Sequence, residues 1–250
     1  MRLARLWKED GHRVSVGPAR EVSGDLALLH VDLTRVPESL VPRSPSGTPV
    51  LNGGVLDISK RAVSRNLVRP GDGYTGAVIV KTNANYFGAP EEKGKTRGRL
   101  QRLLEHAPSW RVAKTLPKRE YPVVGAPDAV PDWVWRREDL VVERFLPEIA
   151  DGHYVIRSWL FLGREEYAVK LYGGLPVVKA RRALKWEYLK AVPDSLRAER
   201  ERLKFDFGKF DYVERDGEAF LLAANKTPTV SGGRSVNLLR LATGLTDFLR

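Results

Sequence analysis

The sequence contains no cysteine among its 250 residues. Disulfides, zinc-thiolate sites and cysteine nucleophiles are therefore excluded. No stretch approaches the ~18 to 20 consecutive apolar residues that a membrane span needs, and the N-terminal region has no apolar core of signal-peptide length. From these absences we expect a soluble cytoplasmic protein that has no membrane partner.

Common catalytic signatures are also missing. The four histidines, His12, His30, His106 and His153, are widely spaced and form no HExxH pattern. The loop that follows Lys81 lacks the P-loop spacing of glycines and GK[ST]. Any chemistry must therefore rest on other side chains.

Charge and hydrophobic content are abundant. The net charge is +11, and hydrophobic residues make up 42% of the chain, which is enough to fill a substantial core. An excess of cations suits nucleic acid, an anionic surface or a phosphate-bearing ligand. The cations are scattered, however, and the clusters at 181–190 and 197–204 are interleaved with Glu. This distribution argues against a nucleic-acid partner.

Residues 205–229 contain two short apolar runs around a turn, which predicts a β-hairpin. The turn at Arg215, Asp216 and Gly217 has two possible forms. Asp-Gly can form a two-residue type I′ loop, or Gly217 can close a three-residue loop as its left-handed residue. The choice sets the register and therefore decides which side chains share a face.

The three-residue loop separates apolar from polar side chains, whereas the two-residue loop mixes them on both faces. We prefer the first, because burying an amide without a partner costs roughly 2 to 7 kcal/mol. In this register one face carries Phe210, Tyr212, Phe220 and Leu222, and the other carries Lys209, Asp211, Ala223 and Asn225.

Asp211 and Asn225 offer a carboxylate and an amide oxygen on neighbouring strands, beside Lys209. These are hard ligands that suit Mg²⁺, which binds a few protein oxygens together with waters and phosphates. The hairpin therefore indicates a magnesium-nucleotide site. The alternative is that both residues lie on a solvated sheet face.

Periodicity and turn residues predict the remaining elements. Strands are expected at 25–31, 50–51, 76–81, 140–145, 154–162 and 167–171. Helices are expected at 57–68 with Asp57 as N-cap, at 97–105, through most of 180–204 with a new N-cap at Asp194, and at 236–250, while 109–130 is expected to be irregular with short strands.

Three segments within 76–230 resemble the ATP-grasp superfamily, and they occur in the same order. They read VIVKTNANYFG, DLVVERFLPEIADGHYVIRSWLFLG and GKFDYVERDGEAFLLAANKTPT, the second of which also resembles the hinge of bacterial glutathione synthetase. The resemblance implies an α+β fold with two lobes, ATP and Mg²⁺ between them, and mixed or antiparallel sheets covered by helices. We expect an N-terminal α/β lobe at 1–70, a small ATP-binding lobe at 71–145 and a C-terminal lobe at 146–250.

The resemblance also implies roles for individual residues. Lys81 would contact phosphates, Glu148 would reach the ribose hydroxyls, and Arg157 would neutralise transferred phosphate or substrate charge. Glu143, Phe145 and Leu146 would border adenine. Each has a simpler alternative: the two glutamates as surface acids, Arg157 as the partner of a neighbouring acid, and Phe145 as a core residue.

The family's metal site uses an acid on the first strand of the hairpin, then an acid and an asparagine two residues apart on the second. Asp211 and Asn225 match two of these positions, whereas the third is Ala223. Alanine cannot ligate a metal. A neighbouring acid replaces it, or the site works with fewer ligands, or the chain binds nucleotide without turnover.

The resemblance implies an ATP- and Mg²⁺-dependent ligase that joins a small-molecule carboxylate to an amine through an acyl phosphate. Lys81 and Arg157 would stabilise the phosphoryl charge, so no nucleophilic side chain is needed. A kinase on the same fold is one alternative. A noncatalytic nucleotide-binding or nucleic-acid-binding protein is another, favoured by Ala223 and the charge of +11.

Overall fold

The structure is a computed structural model that describes residues 1–18, 20–92, 109–117, 120–229 and 235–249. Short helices accompany two antiparallel sheets and a parallel pair of strands. The α+β class predicted from the sequence is confirmed. The helix expected at 97–105 lies outside the described residues. Within the described part, no helix is long and apolar enough to cross a membrane.

The N-terminal region packs against the C-terminal end of the chain. Helix α1 spans Arg2–Glu9, and its Trp7 Nε1 donates to the carbonyl of Ala242 at 2.9 Å. Strands β1 (Ala27–Leu28) and β2 (Val50–Leu51) pair in parallel. Strand β1 is shorter than the predicted 25–31, and β2 agrees with the prediction.

The helix predicted at 57–68 is wrong over most of its length. Only one turn forms, α2 at Lys60–Val63, and its N-cap is Ser59. The next residues extend along the edge of a sheet, where the Val68 amide donates to the Val142 carbonyl at 2.9 Å. Sheet pairing satisfies these backbone groups, and it overrides the helical spacing of the apolar residues.

The small sheet has the order β4-β3-β5. Its members are β3 (Val78–Thr82), β4 (Val123–Val124) and β5 (Leu140–Arg144). Two of them confirm the strands predicted at 76–81 and 140–145. Three short helices are also present, α3 (Ala89–Glu92), α4 (Trp110–Ala113) and α5 (Asp132–Trp135). Val78, Val80 and Val142 pack on one face with Val134 of α5.

The large sheet has the order β11-β10-β7-β8-β9, and β6 pairs with β7. These strands are β6 (Glu148–Ala150), β7 (His153–Leu162), β8 (Glu165–Gly173), β9 (Lys185–Leu189), β10 (Phe207–Arg215) and β11 (Glu218–Asn225). Strands β7 and β8 confirm the predictions at 154–162 and 167–171. The predicted hairpin is β10 and β11.

Most of the predicted helix at 180–204 is also wrong. Its middle is strand β9, and only α6 (Asp194–Arg202) is α-helical, with Pro193 at the N-cap position. The local sequence KWEYL alternates aromatic and charged residues, and pairing with β8 stabilises it as a strand. The composition rich in Arg, Lys and Glu favours a helix only weakly in comparison.

The two faces of the large sheet are covered by different elements. On one, Trp159, Phe161, Phe210 and Tyr212 pack against Leu196 of α6; we call this the α6 face. On the other, Leu160, Leu162 and Phe207 pack against α1 and against α7 (Val236–Thr243), which is shorter than the predicted 236–250. We call this the α7 face. Because side chains alternate along a strand, neighbouring residues belong to opposite faces.

Candidate functional site

The β10–β11 hairpin closes with a two-residue loop, so the predicted three-residue loop is wrong. Arg215 lies opposite Glu218, and the loop residues Asp216 and Gly217 have φ of 53° and 79°. Positive φ at both positions is the signature of a type I′ turn. Asp-Gly supplies it, and its twist matches that of the flanking strands.

A β-bulge nevertheless restores the predicted polar face. Tyr212 pairs with Leu221 and Asp211 pairs with Ala223, so Leu222 is the extra residue. Beyond the bulge, Lys209, Asp211, Ala223 and Asn225 share a face as predicted. The apolar face is different from the prediction: Leu221 and Ala224, rather than Phe220 and Leu222, join Phe210 and Tyr212 in the core.

Four polar residues on the α7 face make up what we call the hairpin cluster: Ser158 of β7, and Lys209, Asp211 and Asn225 of the hairpin. Ser158 Oγ donates to Asp211 Oδ1 at 2.5 Å, and Lys209 Nζ lies 2.8 Å from Asp211 Oδ2. The Asn225 amide oxygen accepts from the Thr227 amide at 2.8 Å. Lysine and hydroxyl thus hold the carboxylate in place.

The hairpin cluster fits Mg²⁺ only in part. Among the described residues, no group of three or more His, Asp or Glu side chains is placed to hold a metal. Asp211 and Asn225 supply two oxygen donors, and Ala223 lies directly opposite Asp211. A Mg²⁺ here would take its other ligands from water and phosphate, as this ion commonly does, and would compete with Lys209 for Asp211.

Arg157 and Glu148 form an ion-pair network on the α6 face. Arg157 Nη2 donates to Glu148 Oε1 at 2.8 Å, and Arg157 Nη1 lies 2.8 Å from Glu214 Oε2. Glu148 Oε2 also accepts from the Glu214 amide at 2.8 Å. Beside this network, burial is the main cause that raises the pKa of Tyr212 to about 12. Arg157 and Asp211 therefore lie on opposite faces of one sheet.

Lys81 and Glu143 form a buried ion pair on the small sheet. Lys81 Nζ lies 2.5 Å from Glu143 Oε2, and the two residues are 7% and 0% exposed. They project from neighbouring strands, on the face opposite Val80 and Val142. Glu143 Oε1 has no hydrogen-bond partner among the described residues.

Lys60 adds a second buried cation, which the sequence did not predict. It is 6% exposed, and its Nζ donates to the Ala84 carbonyl at 3.1 Å. Burial, followed by the positive charge of Lys81, lowers the pKa of Lys60 to about 8, while Glu143 opposes the change. We call Lys60, Lys81 and Glu143 the lysine cluster. The local sequence gives no signal for the burial of Lys60, because its neighbours Ser59 and Arg61 are both polar.

A third buried lysine connects this cluster to the hairpin. Lys226 follows Asn225, and its Nζ lies 3.4 Å from the Val55 carbonyl. Burial lowers the pKa of Lys226 to about 8, although the negative charges of nearby acids act to raise it. Glu91 acts on both Lys226 and Lys60. The carboxylate of Glu91 is thus within electrostatic range of both Lys60 and Lys226.

Phe145 and Leu146 lie on the connection between the sheets. They follow β5 of the small sheet and precede β6 of the large one, and both are half-buried. The Phe145 amide donates to the Ala77 carbonyl at 2.9 Å. The predicted residues therefore fall into the lysine cluster, the Arg157 network, the hairpin cluster and this connection.

The known proteins that this chain resembles are found among solved structures. No family model matches the chain, and no curated protein matches it. A RimK domain ATP-grasp protein from Sphaerobacter thermophilus is similar at 16% identity and a TM-score of 0.47, over 99% of this chain and 94% of that one.

Two further similar structures are longer than this chain. D-alanine–D-alanine ligase from Bacillus anthracis, complexed with ATP, is 12% identical with a TM-score of 0.36, over 70% of this chain and 51% of that one. A RiPP-associated ATP-grasp ligase from Chryseobacterium gregarium, in complex with ADP and a leader and core peptide, is 11% identical with a TM-score of 0.35, over 69% and 48%. The chain thus spans about half of each.

Two of these three proteins carry the name ATP-grasp, the superfamily that the sequence motifs resemble. All three TM-scores lie below 0.5. No activity, substrate or residue role follows from similarity at that level. Function has to be argued from the residues of the site.

Proposed function

We propose that the chain binds ATP between its two sheets, with the phosphates at the lysine cluster. The observation that carries this proposal is the excess of buried positive charge. Lys60 and Lys81 are both buried beside Glu143, and Glu91 acts on Lys60 more weakly than Glu143 does. Buried charges without partners are costly, and a polyphosphate would supply the missing negative charge.

The connection between the sheets suits the adenosine part of the nucleotide. Phe145 and Leu146 offer half-buried apolar surface, and Glu148 begins the next strand. In this proposal Phe145, Leu146 and the backbone near Glu143 border the adenine, and Glu148 bonds the ribose hydroxyls. Because Glu148 accepts several hydrogen bonds from Arg157, it is already oriented.

The proposed reaction is ligation of a small-molecule carboxylate to an amine. The carboxylate oxygen attacks the γ-phosphorus of ATP, ADP leaves, and the amine then displaces phosphate from the acyl phosphate. Lys60 and Lys81 would hold the phosphates, and Arg157 would neutralise charge on the transferred group. Asp211 and Asn225 lie on the opposite face of the large sheet from Arg157, so a Mg²⁺ held by them would not reach the phosphate that Arg157 contacts, and no step of the proposed reaction depends on it.

A second candidate is nucleotide binding without turnover. It is favoured by Ala223 and by Lys209, whose ammonium group already pairs with the carboxylate of Asp211. A kinase on the same site differs only in its acceptor. Product analysis separates the three, because a ligase needs an amine, a kinase phosphorylates a hydroxyl, and a binding protein leaves ATP intact.

Calorimetry with ATP, ADP and adenosine tests the nucleotide site. We expect Lys60→Met and Lys81→Met each to weaken ATP about tenfold or more and to leave adenosine unchanged, because only the phosphates contact the lysines. Lys8→Met, at an exposed lysine of α1, is the matched control. Equal losses for ATP and adenosine would show that the lysines only support the fold.

The pKa of Lys60 offers an independent readout. A bound phosphate should raise that pKa from about 8, because an opposite charge favours the protonated form. ATP binding at pH 8.5 should therefore take up protons, and the measured heat should depend on the ionisation enthalpy of the buffer. Lys60→Met should abolish most of that dependence. An unchanged dependence in this variant would contradict the assignment.

A further inference from the structure

The outer strand of the large sheet, β9, presents apolar side chains to solvent. Trp186 is 57% exposed, Tyr188 is 49% exposed, and Leu184, two residues before Trp186, is 66% exposed. The rings of Trp186 and Tyr188 meet edge to face with centroids 5.1 Å apart. We call these three residues the β9 surface. Adjacent exposed apolar side chains of this size mark interaction sites on soluble proteins.

The outer edge of β9 also carries backbone N–H and C=O groups to which a further strand could bind. Strand β8 pairs with one edge of β9, and in the described part of the chain no strand pairs with the other. Alternate residues of an antiparallel edge strand direct their N–H and C=O groups away from the sheet. Such an edge accepts an extended peptide as an additional strand.

The surroundings of the β9 surface are positively charged. Arg181, Arg182 and Lys190 are exposed and form no ion pair among the described residues. The one acid of this stretch, Glu187, points to the other face, where it accepts from the Tyr172 hydroxyl at 2.6 Å. An occupant of the edge would therefore meet uncompensated positive charge.

A groove continues the β9 surface towards helix α7. Its volume is about 380 Å³, and Tyr188 belongs to both the groove and the β9 surface. The groove is lined on its other side by α7. Its lining includes Tyr167, Tyr188, Lys190, Asn237 and Arg240, and also Glu166, whose carboxylate is paired with Arg197. An extended chain on β9 can thus place a side chain between the sheet and the helix.

We propose that the β9 surface docks an acidic peptide segment with alternating apolar residues, which adds to β9 as a further strand. Charge complementarity favours this occupant. A second copy would bring two sets of cations together in a chain of net charge +11. Nucleic acid would leave the backbone groups of the edge unused. An acidic strand uses the edge, the aromatic rings and the cations together.

The probe is a synthetic peptide of alternating Glu and Val, and its counterpart carries Lys in place of Glu. We expect calorimetry to detect binding of the acidic peptide and none of the lysine peptide. Hydrogen exchange should slow at amides within β9 when the acidic peptide is bound, because a new strand protects the outward N–H groups. Binding without added protection in β9 would overturn strand addition.

Two double variants locate the contacts. Trp186→Ser with Tyr188→Ser, and Arg181→Ser with Arg182→Ser, should each weaken the acidic peptide about tenfold or more, since buried aromatic and Arg contacts dominate docking. Val112→Ser, at an apolar residue that is 81% exposed on α4, should leave it unchanged. ADP binding should be unchanged in all variants, so this proposal and the nucleotide site fail separately.

Three results would overturn the proposal. Equal binding of the two peptides, or of neither, would exclude an acidic strand. Tight binding of single-stranded oligothymidylate that is lost in both double variants would identify a nucleic-acid surface instead. Self-association in sedimentation experiments that is lost in the aromatic double variant would identify the surface as an interface between copies.

Discussion

The lysine cluster and the hairpin cluster use the same kinds of side chain in opposite surroundings. In the first, the side chains of Lys81 and Glu143 are 9% and 1% exposed. In the second, those of Lys209 and Asp211 are 28% and 21% exposed. An ion pair in a buried position depends on each partner because solvent cannot compensate a lost charge. An accessible pair loses little when one partner is removed.

The two clusters also differ in their balance of positive and negative charge. The lysine cluster has two cations for one anion, whereas in the hairpin cluster Lys209 neutralises Asp211. An external anion would therefore stabilise the lysine cluster. The hairpin cluster needs an external cation only if Lys209 moves away. This difference explains why the lysine cluster carries the proposal for nucleotide binding, while metal binding rests on two ligands.

Removal of Glu143 should have the largest effect. Glu143→Gln removes the carboxylate that pairs with Lys81 and leaves only the weaker influence of Glu91 on Lys60, so we expect a loss of about 3 to 5 kcal/mol in the free energy of unfolding. Lys81→Met should cost less, because Lys60 remains near Glu143. Urea denaturation measures both.

Asp139→Asn is the matched control for Glu143→Gln, since its exposed pair with Arg137 should contribute about 1 kcal/mol or less. If Glu143→Gln costs no more than this control, the buried pair is not a structural requirement.

Lys226→Met should stabilise the protein in a pH-dependent way. The folded pKa of about 8 lies below the unfolded value near 10.4, so the unfolded state binds more protons between these values. Folding is therefore penalised fully below pH 8, and the penalty disappears as the pH rises towards 10.4. We expect the variant to be more stable by about 1 to 3 kcal/mol at pH 7.

Denaturation of wild type and Lys226→Met at several pH values measures this difference, which should shrink between pH 8 and 10. Lys8→Met is the exposed control. A difference that stays constant over that range would mean that Lys226 keeps its normal pKa.

Restoring an acid at Ala223 should bring the hairpin cluster closer to a metal site. Ala223 lies opposite Asp211, so Ala223→Asp places two carboxylates together. We expect Mg²⁺ to bind about tenfold more tightly, with a loss of roughly 0.2 to 1 kcal/mol of metal-free stability from like-charge repulsion. Calorimetric titration of Mg²⁺ in the presence of ADP measures the first effect.

Leu222→Asp is the control for this substitution, because the bulge removes residue 222 from pairing with Asp211. An identical change in Mg²⁺ affinity for both variants would contradict the observed register.

At the turn we expect an effect on stability alone. Gly217 has a φ of 79°, a region that costs residues with a Cβ about 1 to 2 kcal/mol. Gly217→Ala should lower stability by that amount, whereas Asp216→Asn should be nearly neutral, since Asn also tolerates positive φ. Thermal denaturation of the two variants compares them. A harmless Gly217→Ala would contradict the type I′ turn.

Several strands of both sheets were predictable because their apolar residues alternate or run continuously. This holds for β3, β5, β7, β8 and the hairpin. Helical spacing misled at 57–68, and a composition that favours helices misled at 180–204; in both segments part of the backbone pairs with a neighbouring strand instead. Such pairing depends on residues far away in the chain, and a local pattern does not contain it.

The sequence by itself determined that Lys81, Glu143, Arg157, Asp211 and Asn225 are unusual polar residues within or beside apolar strands. The tertiary structure decided how they group. Folding buries Lys60 close to Lys81 and Glu143. The alternation of side chains along the strands places Arg157 and Asp211 on opposite faces of the large sheet. The bulge at Leu222 decided the face of Asn225. The physical reason is that strand register and burial depend on packing between segments far apart in the chain, whereas the polarity of each residue can be read directly from the sequence.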